Sequence, residues 1–292
     1  MQRVCRKIHF LTQQKPNKKK LLNTVNNRDY EYGLNTEKRD QQIIVSMTSY
    51  KPRFNTICLA IKSILLQNVK PDKFIVWLDA NTHHSDLTQE MIDLQKYGVE
   101  YRFMDINLRP HNKYYFALKE FPNAIVITVD DDNLYPLNLI ELLLKKHIQY
   151  PDCVCARLVH KVTFNKDGSI APYSQWNRFA RNIKKPSSNL VALGVGGVLY
   201  PPHCLDKRAL DANLIQKYCL NADDIWLKAM ELLHGTKVVW VKTNMTMPVD
   251  IEDSQQIRLE SNNVFGSQND TYIKNLYKVY SEEIKAGDFF VR

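Results

Sequence analysis

Three consecutive aspartates, Asp130 to Asp132, follow a run of apolar and β-branched residues at 124–129. Such a run predicts a buried strand, and three carboxylates at its end would repel one another unless a cation neutralised them. Mg²⁺ and Mn²⁺ prefer carboxylate oxygens. Because side chains alternate along a strand, Asp130 and Asp132 are expected to converge on such a metal while Asp131 points elsewhere. The motif predicts a metal site that neutralises a diphosphate leaving group; a solvated acidic turn is the alternative.

A second acidic pair, Asp223 and Asp224, directly precedes the apolar residues at 225–227. Here either carboxylate can cap a helix and interact favourably with its dipole. The alternative is catalytic, with one of the two acting as the general base that removes a proton from an acceptor hydroxyl. The sequence alone leaves both interpretations open.

Two further features stand near predicted strand ends. Lys113 lies between a predicted strand and a predicted helix, where its charge can offset that of a diphosphate, although a surface lysine is equally consistent. The segment 194–202 contains three glycines but matches neither the dinucleotide-binding fingerprint nor a phosphate-binding loop. Its glycines indicate either a close approach of the backbone to a ligand or a tight connection.

Short apolar strands alternate with amphipathic helices in the first half of the chain. The predicted strands are 43–47, 74–78, 99–104 and 124–129, and the predicted helices are 57–65, 87–97, 113–121 and 137–148. This alternation predicts an α/β fold with a mostly parallel sheet and helices on both faces. Ligands bind such sheets at the carboxyl ends of the strands, so the chemistry is expected at 48–53, 79–82 and 130–133.

The second half is less regular. Strands are predicted at 154–162 and 237–241, and helices at 214–220, 224–233 and 271–284. We expect a single α/β domain at 41–250, preceded by a basic N-terminal arm at 1–40 and followed by a polar, helical C-terminal extension at 251–292.

The net charge of +9 is unevenly distributed. Residues 1–40 carry ten Lys or Arg and four Asp or Glu, which leaves +3 for the other 252 residues. The arm, with a short amphipathic helix expected near 4–11, is suited to an anionic membrane surface, and a solvated tail is the alternative. Outside it no concentrated basic stripe is expected. Specific nucleic-acid binding is therefore not predicted, since an arm alone gives salt-sensitive, nonspecific binding.

The sequence predicts a cytoplasmic protein, either free or peripheral on the cytoplasmic face of a membrane. The longest uncharged stretch, 186–205, contains too many polar residues for a good membrane span. No continuous apolar segment follows the N-terminal charges, which argues against a secretory signal. The six cysteines form no CxxC pair and are more consistent with a reducing compartment than with a disulfide framework.

Four segments together resemble the GT-A superfamily of glycosyltransferases. They are residues 44–53, 129–136, 194–202 and 222–226, and in this order they are similar to bacterial enzymes of capsule and lipopolysaccharide synthesis. The resemblance covers about residues 43–241. It implies a GT-A type, Rossmann-like fold, a nucleotide-sugar donor that is by default a UDP-sugar, a Mn²⁺ or Mg²⁺ cofactor, and a glycan or lipid-linked acceptor whose hydroxyl receives the sugar in surface polysaccharide synthesis.

The resemblance also implies roles for individual residues. The aspartate run matches the DXD motif, in which the last aspartate ligates the metal and the first contacts metal or nucleotide. The implied donor-binding residues are Thr48, Tyr50, Arg53, Asp79, Lys113, Asp130 and Asp131; the implied metal ligands are Asp130 and Asp132; the implied acceptor-loop residues are Gly196 and Gly197; and the implied base is Asp223 or Asp224.

One departure from the pattern and two rival functions remain. The second strand ends at Leu78-Asp79-Ala80 instead of the acidic pair plus glycine of the largest inverting family, and inverting or retaining stereochemistry stays open. A nucleotidyltransferase is expected to carry a glycine-rich signature after the first strand, and residues 48–53 contain no glycine. The second rival is a binding protein, either a basic-armed nucleic-acid binder or a transferase fold that has lost activity. An inactive transferase is expected to lose an aspartate, and both acidic clusters are intact.

Overall fold

The computed structural model describes residues 15–27, 31–244, 247–251 and 268–284. The helix predicted near residues 4–11 lies outside these ranges. The described strands are β1 (Ile43–Ser49), β2 (Lys73–Leu78), β3 (Val99–Phe103), β4 (Ile125–Val129), β5 (Val154–Ala156), β6 (Val159–Lys161), β7 (Leu190–Ala192), β8 (Val198–Tyr200) and β9 (Val238–Trp240). The described α-helices are α1 (Lys15–Asn26), α2 (Ile57–Leu65), α3 (Gln89–Leu94), α4 (Asn112–Glu120), α5 (Leu139–Gln149), α6 (Ala212–Tyr218), α7 (Asp223–His234) and α8 (Gln268–Tyr280).

Seven strands form one twisted sheet in the order β3-β2-β1-β4-β8-β5-β9. The first four run parallel, β8 runs antiparallel to both β4 and β5, and β9 runs parallel to β5. Strands β6 and β7 form a separate antiparallel pair. The predicted fold class, a mostly parallel GT-A type sheet with flanking helices, is confirmed.

The register of the parallel strands brings their carboxyl ends together. Ser49 lies opposite Leu78, and Met47 lies opposite Val129. The residues that follow β1, β2 and β4 therefore leave the sheet at the same edge, which is where polar loops can meet.

Both faces of the sheet are buried, as the apolar strands predicted. On β1, Val45 and Met47 pack into one core cluster and Ile44 into another. The first cluster is covered by α2, α3 and α5, and the helical cluster around Trp226 of α7 covers the other half of the fold. Because nearly every residue of β1, β2 and β4 is buried, the alternation of faces does not appear in these strands as a polar-apolar pattern.

Part of the predicted arm is packed on the domain. Leu21 and Val25 of α1 are buried in the main core, and the Tyr32 hydroxyl donates a hydrogen bond to the Val25 carbonyl at 2.6 Å. Lys19 and Lys20 of the same helix are exposed. Among the residues that the structure describes, no helix is both long and apolar enough to cross a membrane.

Two predicted elements differ from the observed ones. The strand predicted at 154–162 is divided into β5 and β6, because the chain leaves the main sheet at the buried Arg157. The helix predicted at 87–97 is the shorter α3 followed by a 3₁₀ turn that ends at Gly98, whose φ of 94° lies in the left-handed region. The remaining predicted helices and strands of 43–241 are present, with shifts of a few residues at their ends.

Candidate active site

A buried lysine joins the ends of two distant elements. Lys113 stands in the first turn of α4, and its Nζ lies 2.6 Å from Asp130 Oδ1 and 2.8 Å from Asp223 Oδ2. Burial alone would lower the pKa of Lys113, but the surrounding carboxylates outweigh it and hold the pKa well above its ordinary value. The ammonium therefore links the loop after β4 to the start of α7.

Gly194 completes this junction. Its backbone N–H donates to Asp224 Oδ1 at 2.9 Å. A Cβ at this position would lie 2.6 Å from Lys113 Nζ and 3.3 Å from Asp224 Oδ1, both closer than such atoms can comfortably approach. Any larger residue here would have to displace the Lys113 ammonium from its position beside this backbone.

The two aspartates of α7 have different environments. Asp223 is buried; burial acts to raise its pKa, but Lys113 and then His111 outweigh this, and the pKa falls below its ordinary value. Asp224 is half-buried, and burial followed by the neighbouring Asp223 raises its pKa well above the ordinary value. The N-cap of α7 is Ala222, without a side-chain cap. Two adjacent carboxylates with opposite pKa shifts are typical of an acid-base site.

Asp131 and Asp132, the other two aspartates of the run, lie close to a second cationic side chain. Arg53 Nη1 lies 3.0 Å from Asp132 Oδ2 and 3.8 Å from Asp131 Oδ1. The Ser49 hydroxyl donates to Asp131 Oδ2 at 2.6 Å. Burial, with the nearby Asp132 second, raises the pKa of Asp131 to about 7.

This arrangement differs from the strand alternation expected from the sequence. Strand β4 ends at Val129, and the chain turns at Asp131, so the three side chains are not placed by a strand's two faces. Asp130 points to Lys113, whereas Asp131 and Asp132 share Arg53.

Backbone hydrogen bonds hold in place the loop that contains Asp130 to Asp132, here called the aspartate loop. The Asp130 N–H donates to the Tyr135 phenol oxygen at 2.7 Å. The Leu134 N–H donates to the Val249 carbonyl at 2.8 Å, and the Ile251 N–H donates to the Asp132 carbonyl at 2.9 Å. Residues 249 and 251 thus hold the loop in place from a segment more than 100 residues further along the chain, and this contact is here called the clamp.

A buried arginine contacts the turn that contains Gly194, Gly196 and Gly197, here called the glycine turn. Arg157 Nε donates to the Gly196 carbonyl at 2.6 Å, and its Nη1 donates to the Met247 carbonyl at 3.4 Å. Burial lowers the pKa of Arg157 to about 10. The guanidinium therefore ties the glycine turn to the segment that forms the clamp on the aspartate loop.

The glycines predicted for the acceptor loop face the protein interior. A Cβ on Gly196 would lie 2.8 Å from Leu158, and one on Gly197, whose φ is +84°, would lie 2.8 Å from Leu139. Gly194 is the member of the motif that adjoins Lys113 and Asp224. An acceptor contact through the backbone of Gly196 and Gly197 stays a prediction.

The residues predicted to hold the nucleoside lie at the ends of β1 and β2. The Thr48 hydroxyl donates to the Trp77 carbonyl at 2.9 Å, and Asp79 accepts a hydrogen bond from the Thr82 hydroxyl. Tyr50 is half-buried beside them. These side chains stand at the β1–β2 part of the sheet edge, and their contact with a base stays a prediction.

The donor atoms fit a hard divalent cation, with the substrate completing its shell. Within the described ranges, no group of three or more His, Cys, Asp or Glu side chains forms a ready metal cage. Asp132 offers carboxylate oxygens in a side chain that is 19% exposed. Mg²⁺ sites commonly take only one or two carboxylates and fill the rest with water and phosphate oxygens, so this loop suits a metal bound together with a diphosphate.

Three residues of the site were not singled out by the sequence. Ser49 lies within the 44–53 segment, and its position next to the expected nucleoside residues was the available signal. Gly194 was visible only as one of three glycines in a motif. Arg157 carried no signal, since nothing in a lone arginine after an apolar strand indicates that it is fully buried.

Comparison with known families agrees with this geometry. The sequence model described as glycosyl transferase family 2 matches residues 44–197, which run from β1 through the aspartate loop to the glycine turn. No curated protein matches the chain. The match spans just over half of the 292 residues, and it includes Arg53, Lys113 and the aspartate run. The chain therefore belongs to glycosyl transferase family 2, within the GT-A superfamily, and is a glycosyltransferase.

Proposed function

We propose that this glycosyltransferase moves a sugar from a nucleotide-sugar donor, a UDP-sugar, to a hydroxyl of a glycan or lipid-linked acceptor in surface polysaccharide synthesis. The observation that carries the proposal is the junction at Lys113, which brings Asp130 of the aspartate loop and Asp223 of α7 within 2.8 Å of one ammonium. A donor-side loop and a candidate base are thereby placed next to each other, as direct transfer requires.

Asp224 is the proposed general base. Its carboxylate is more accessible than that of Asp223 and is oriented by the Gly194 N–H. A raised pKa suits a base at neutral pH, because proton transfer is most efficient when the pKa of the base is near the working pH. Asp223 is ion-paired with Lys113 and acts as a positioning residue.

The proposed reaction is a single displacement with inversion. The acceptor oxygen attacks the anomeric carbon, and the bond from that carbon to the diphosphate oxygen breaks. The electron pair of the broken bond leaves with the nucleoside diphosphate, and the hydroxyl proton passes to Asp224. Gly196 and Gly197 are proposed to line the acceptor side through their backbone.

The donor is proposed to bind along the ends of β1, β2 and β4. Thr48, Tyr50 and Asp79 are assigned to the nucleoside. Arg53 and Lys113 stand beside the aspartates and attract the diphosphate. Asp130 and Asp132 would hold Mn²⁺ or Mg²⁺, which when bound neutralises charge on the diphosphate.

We also propose that the enzyme works at the cytoplasmic face of a membrane. Helix α1 docks through Leu21 and Val25 and leaves Lys19 and Lys20 exposed, so these two lysines are available to anionic headgroups. The transferase domain is assigned to 41–250 and the C-terminal extension to 251–292. Unchanged binding to anionic liposomes after deletion of residues 1–14 together with K18Q/K19Q/K20Q would refute the membrane role.

Calorimetric titration of nucleoside diphosphates and nucleotide sugars, with and without Mn²⁺, tests the donor site. We expect metal-dependent binding of one nucleotide class to the wild type and its loss in Asp132→Ala. Asp93→Ala is the matched control, since Asp93 is an exposed aspartate on α3. A folded wild type that binds no nucleotide would refute the proposed donor chemistry.

A further inference from the structure

Outside residues 1–40, the excess of positive charge is concentrated in one segment. Residues 161–189 carry six Lys or Arg and a single acidic residue, Asp167. Residues 1–40 contribute +6 and residues 161–189 contribute +5 to a total of +9, so the rest of the chain carries −2. The expectation that the domain has no concentrated basic region is therefore wrong, because a net charge averaged over 252 residues conceals it.

This segment, here called the basic platform, is folded around buried aromatic side chains. The rings of Tyr173 and Trp176 lie 4.8 Å apart between centroids, and Trp176 Nε1 donates to the Ala171 carbonyl at 2.9 Å. Tyr173 and Trp176 are buried, so neither presents a face on which a sugar could stack. Five basic side chains of the platform are exposed, together with Asp167 and several neutral residues; the basic ones are Lys161, Lys166, Arg181, Lys184 and Lys185.

The platform adjoins the acceptor side of the site. The Ala180 N–H donates to the Val159 carbonyl at 2.9 Å, and Val159 pairs with Ala192 in the β6–β7 sheet. Neighbouring strands lie about 4.8 Å apart, so Ala180 lies about 10 Å from Ala192. Ala192 precedes Gly194 by two residues, which places the backbone of Arg181 within roughly 20 Å of the turn that contacts Asp224.

We propose that the basic platform binds an acceptor glycan that carries repeated anionic groups, carboxylates or phosphates, along its chain. This inference rests on the proposed function, because it assumes that Asp224 receives the proton of the acceptor. The donor side is built from the ends of β1, β2 and β4, whereas the platform continues from the glycine turn beside the base. An extended polyanion bound there would deliver its end to Asp224.

A glycan fits the platform better than a membrane surface. Interfacial segments combine basic side chains with exposed large apolar ones that enter the lipid. None of the exposed large hydrophobic residues in the described ranges belongs to 161–189; they are Phe103, Ile106, Ile148, Tyr277 and Val279. Charge without apolar anchors suits a water-soluble polyanion.

The test uses the full chain with R181Q/K184Q/K185Q, which removes three exposed charges from the platform. K96Q/K119Q/K145Q removes three exposed charges from the N-terminal half and is the matched control. The probes are fluorescein-labelled oligogalacturonate as a carboxylated glycan, inorganic polyphosphate for phosphate chemistry, and neutral dextran. Binding is measured by fluorescence anisotropy for the labelled glycan and by its competition with the other two, at increasing salt.

We expect oligogalacturonate, polyphosphate or both to bind the wild type with an affinity that falls with salt, and dextran not to compete. The platform variant should bind the polyanion about tenfold more weakly, since each exposed ion pair contributes about a factor of two. The control variant should bind as the wild type does.

Three results would overturn the inference. The first is no polyanion binding by the wild type, and the second is an equal loss of polyanion affinity in the two variants. The third is unchanged glycan binding with a loss of anionic-liposome binding that is specific to the platform variant. Calorimetric titration with the nucleoside diphosphate distinguishes failure of this inference from failure of the proposed function. If the donor binds and the polyanion does not, only the platform inference fails. If the donor does not bind, the proposed function fails independently.

Discussion

Lys113→Met is expected to show how much the ion pairs of Lys113 with Asp130 and Asp223 contribute to the stability of the fold. The change keeps the apolar length of the side chain and removes an ammonium that lies 2.6 Å from Asp130 and 2.8 Å from Asp223. The side chain of Lys113 is 5% exposed, and its removal would leave the buried Asp223 without its cation. Breaking a buried ion pair on one side costs about 3–5 kcal/mol, and we expect a loss of that size in the free energy of unfolding at pH 8.

The loss should depend on pH with a definite sign. In the wild type the pKa of Asp223 is lowered, so its ionic contribution to stability is present above the ordinary carboxyl pKa and is lost only as the pH falls through the lowered folded value. In the variant the same carboxyl is buried without Lys113, and its pKa must rise. Each unit by which that pKa exceeds the pH relieves about 1.4 kcal/mol, so the variant should be destabilised less at pH 5 than at pH 8.

Urea denaturation at pH 5 and pH 8 measures this difference. Lys119→Met is the matched control, because Lys119 is an exposed lysine on the same helix. Its free energy of unfolding should change little at either pH. The reasoning about the junction is refuted if Lys113→Met is destabilised equally at the two pH values, or if the control loses as much stability.

Three further variants test the site. Asp224→Asn should lower kcat by about 10²- to 10⁴-fold with donor affinity retained, as expected for loss of a general base, and a larger kcat loss in Asp223→Asn with a normal fold would reverse the assignment. Gly194→Ala should lower kcat/KM at least about tenfold, because its Cβ would lie 2.6 Å from Lys113 Nζ, whereas Gly33→Ala, with open space around its Cβ, should be neutral in the same steady-state assay. Ser49→Ala removes the 2.6 Å hydrogen bond to Asp131 and should weaken donor binding in calorimetry by about 5- to 100-fold; unchanged affinity would show that Asp131 does not need this support.

The fold was predictable because its signals are local. The β-branched run that becomes β4 and the apolar periodicity of α2 each reflect burial on a sheet or helix face, and neither depends on distant residues. The same holds for the place of the site, since loops after parallel strands meet at one edge. The structure brings Arg53 and Lys113 into contact with the aspartate run, and their roles in donor binding stay predictions.

The pairing within the site depends on features that sequence spacing does not encode. Which cation each aspartate meets is decided by a turn that begins directly after Val129, and by Lys113 and Arg53 arriving from other elements. Which glycine adjoins Asp224 is decided by the packing of Leu158 and Leu139 against the other two. These are long-range contacts, and a single sequence carries no record of them.

The clamp formed by Val249 and Ile251 on the aspartate loop has a consequence for the order in which the enzyme assembles. Domains fold as their chain leaves the ribosome, and contacts between distant residues form late. A nascent chain that has emerged only as far as α5 already contains the aspartate run, but it lacks Asp223, Asp224 and both clamp residues. The contacts that hold the aspartate loop can therefore form only after residue 251 has been synthesised, and a shorter chain holds its carboxylates without them.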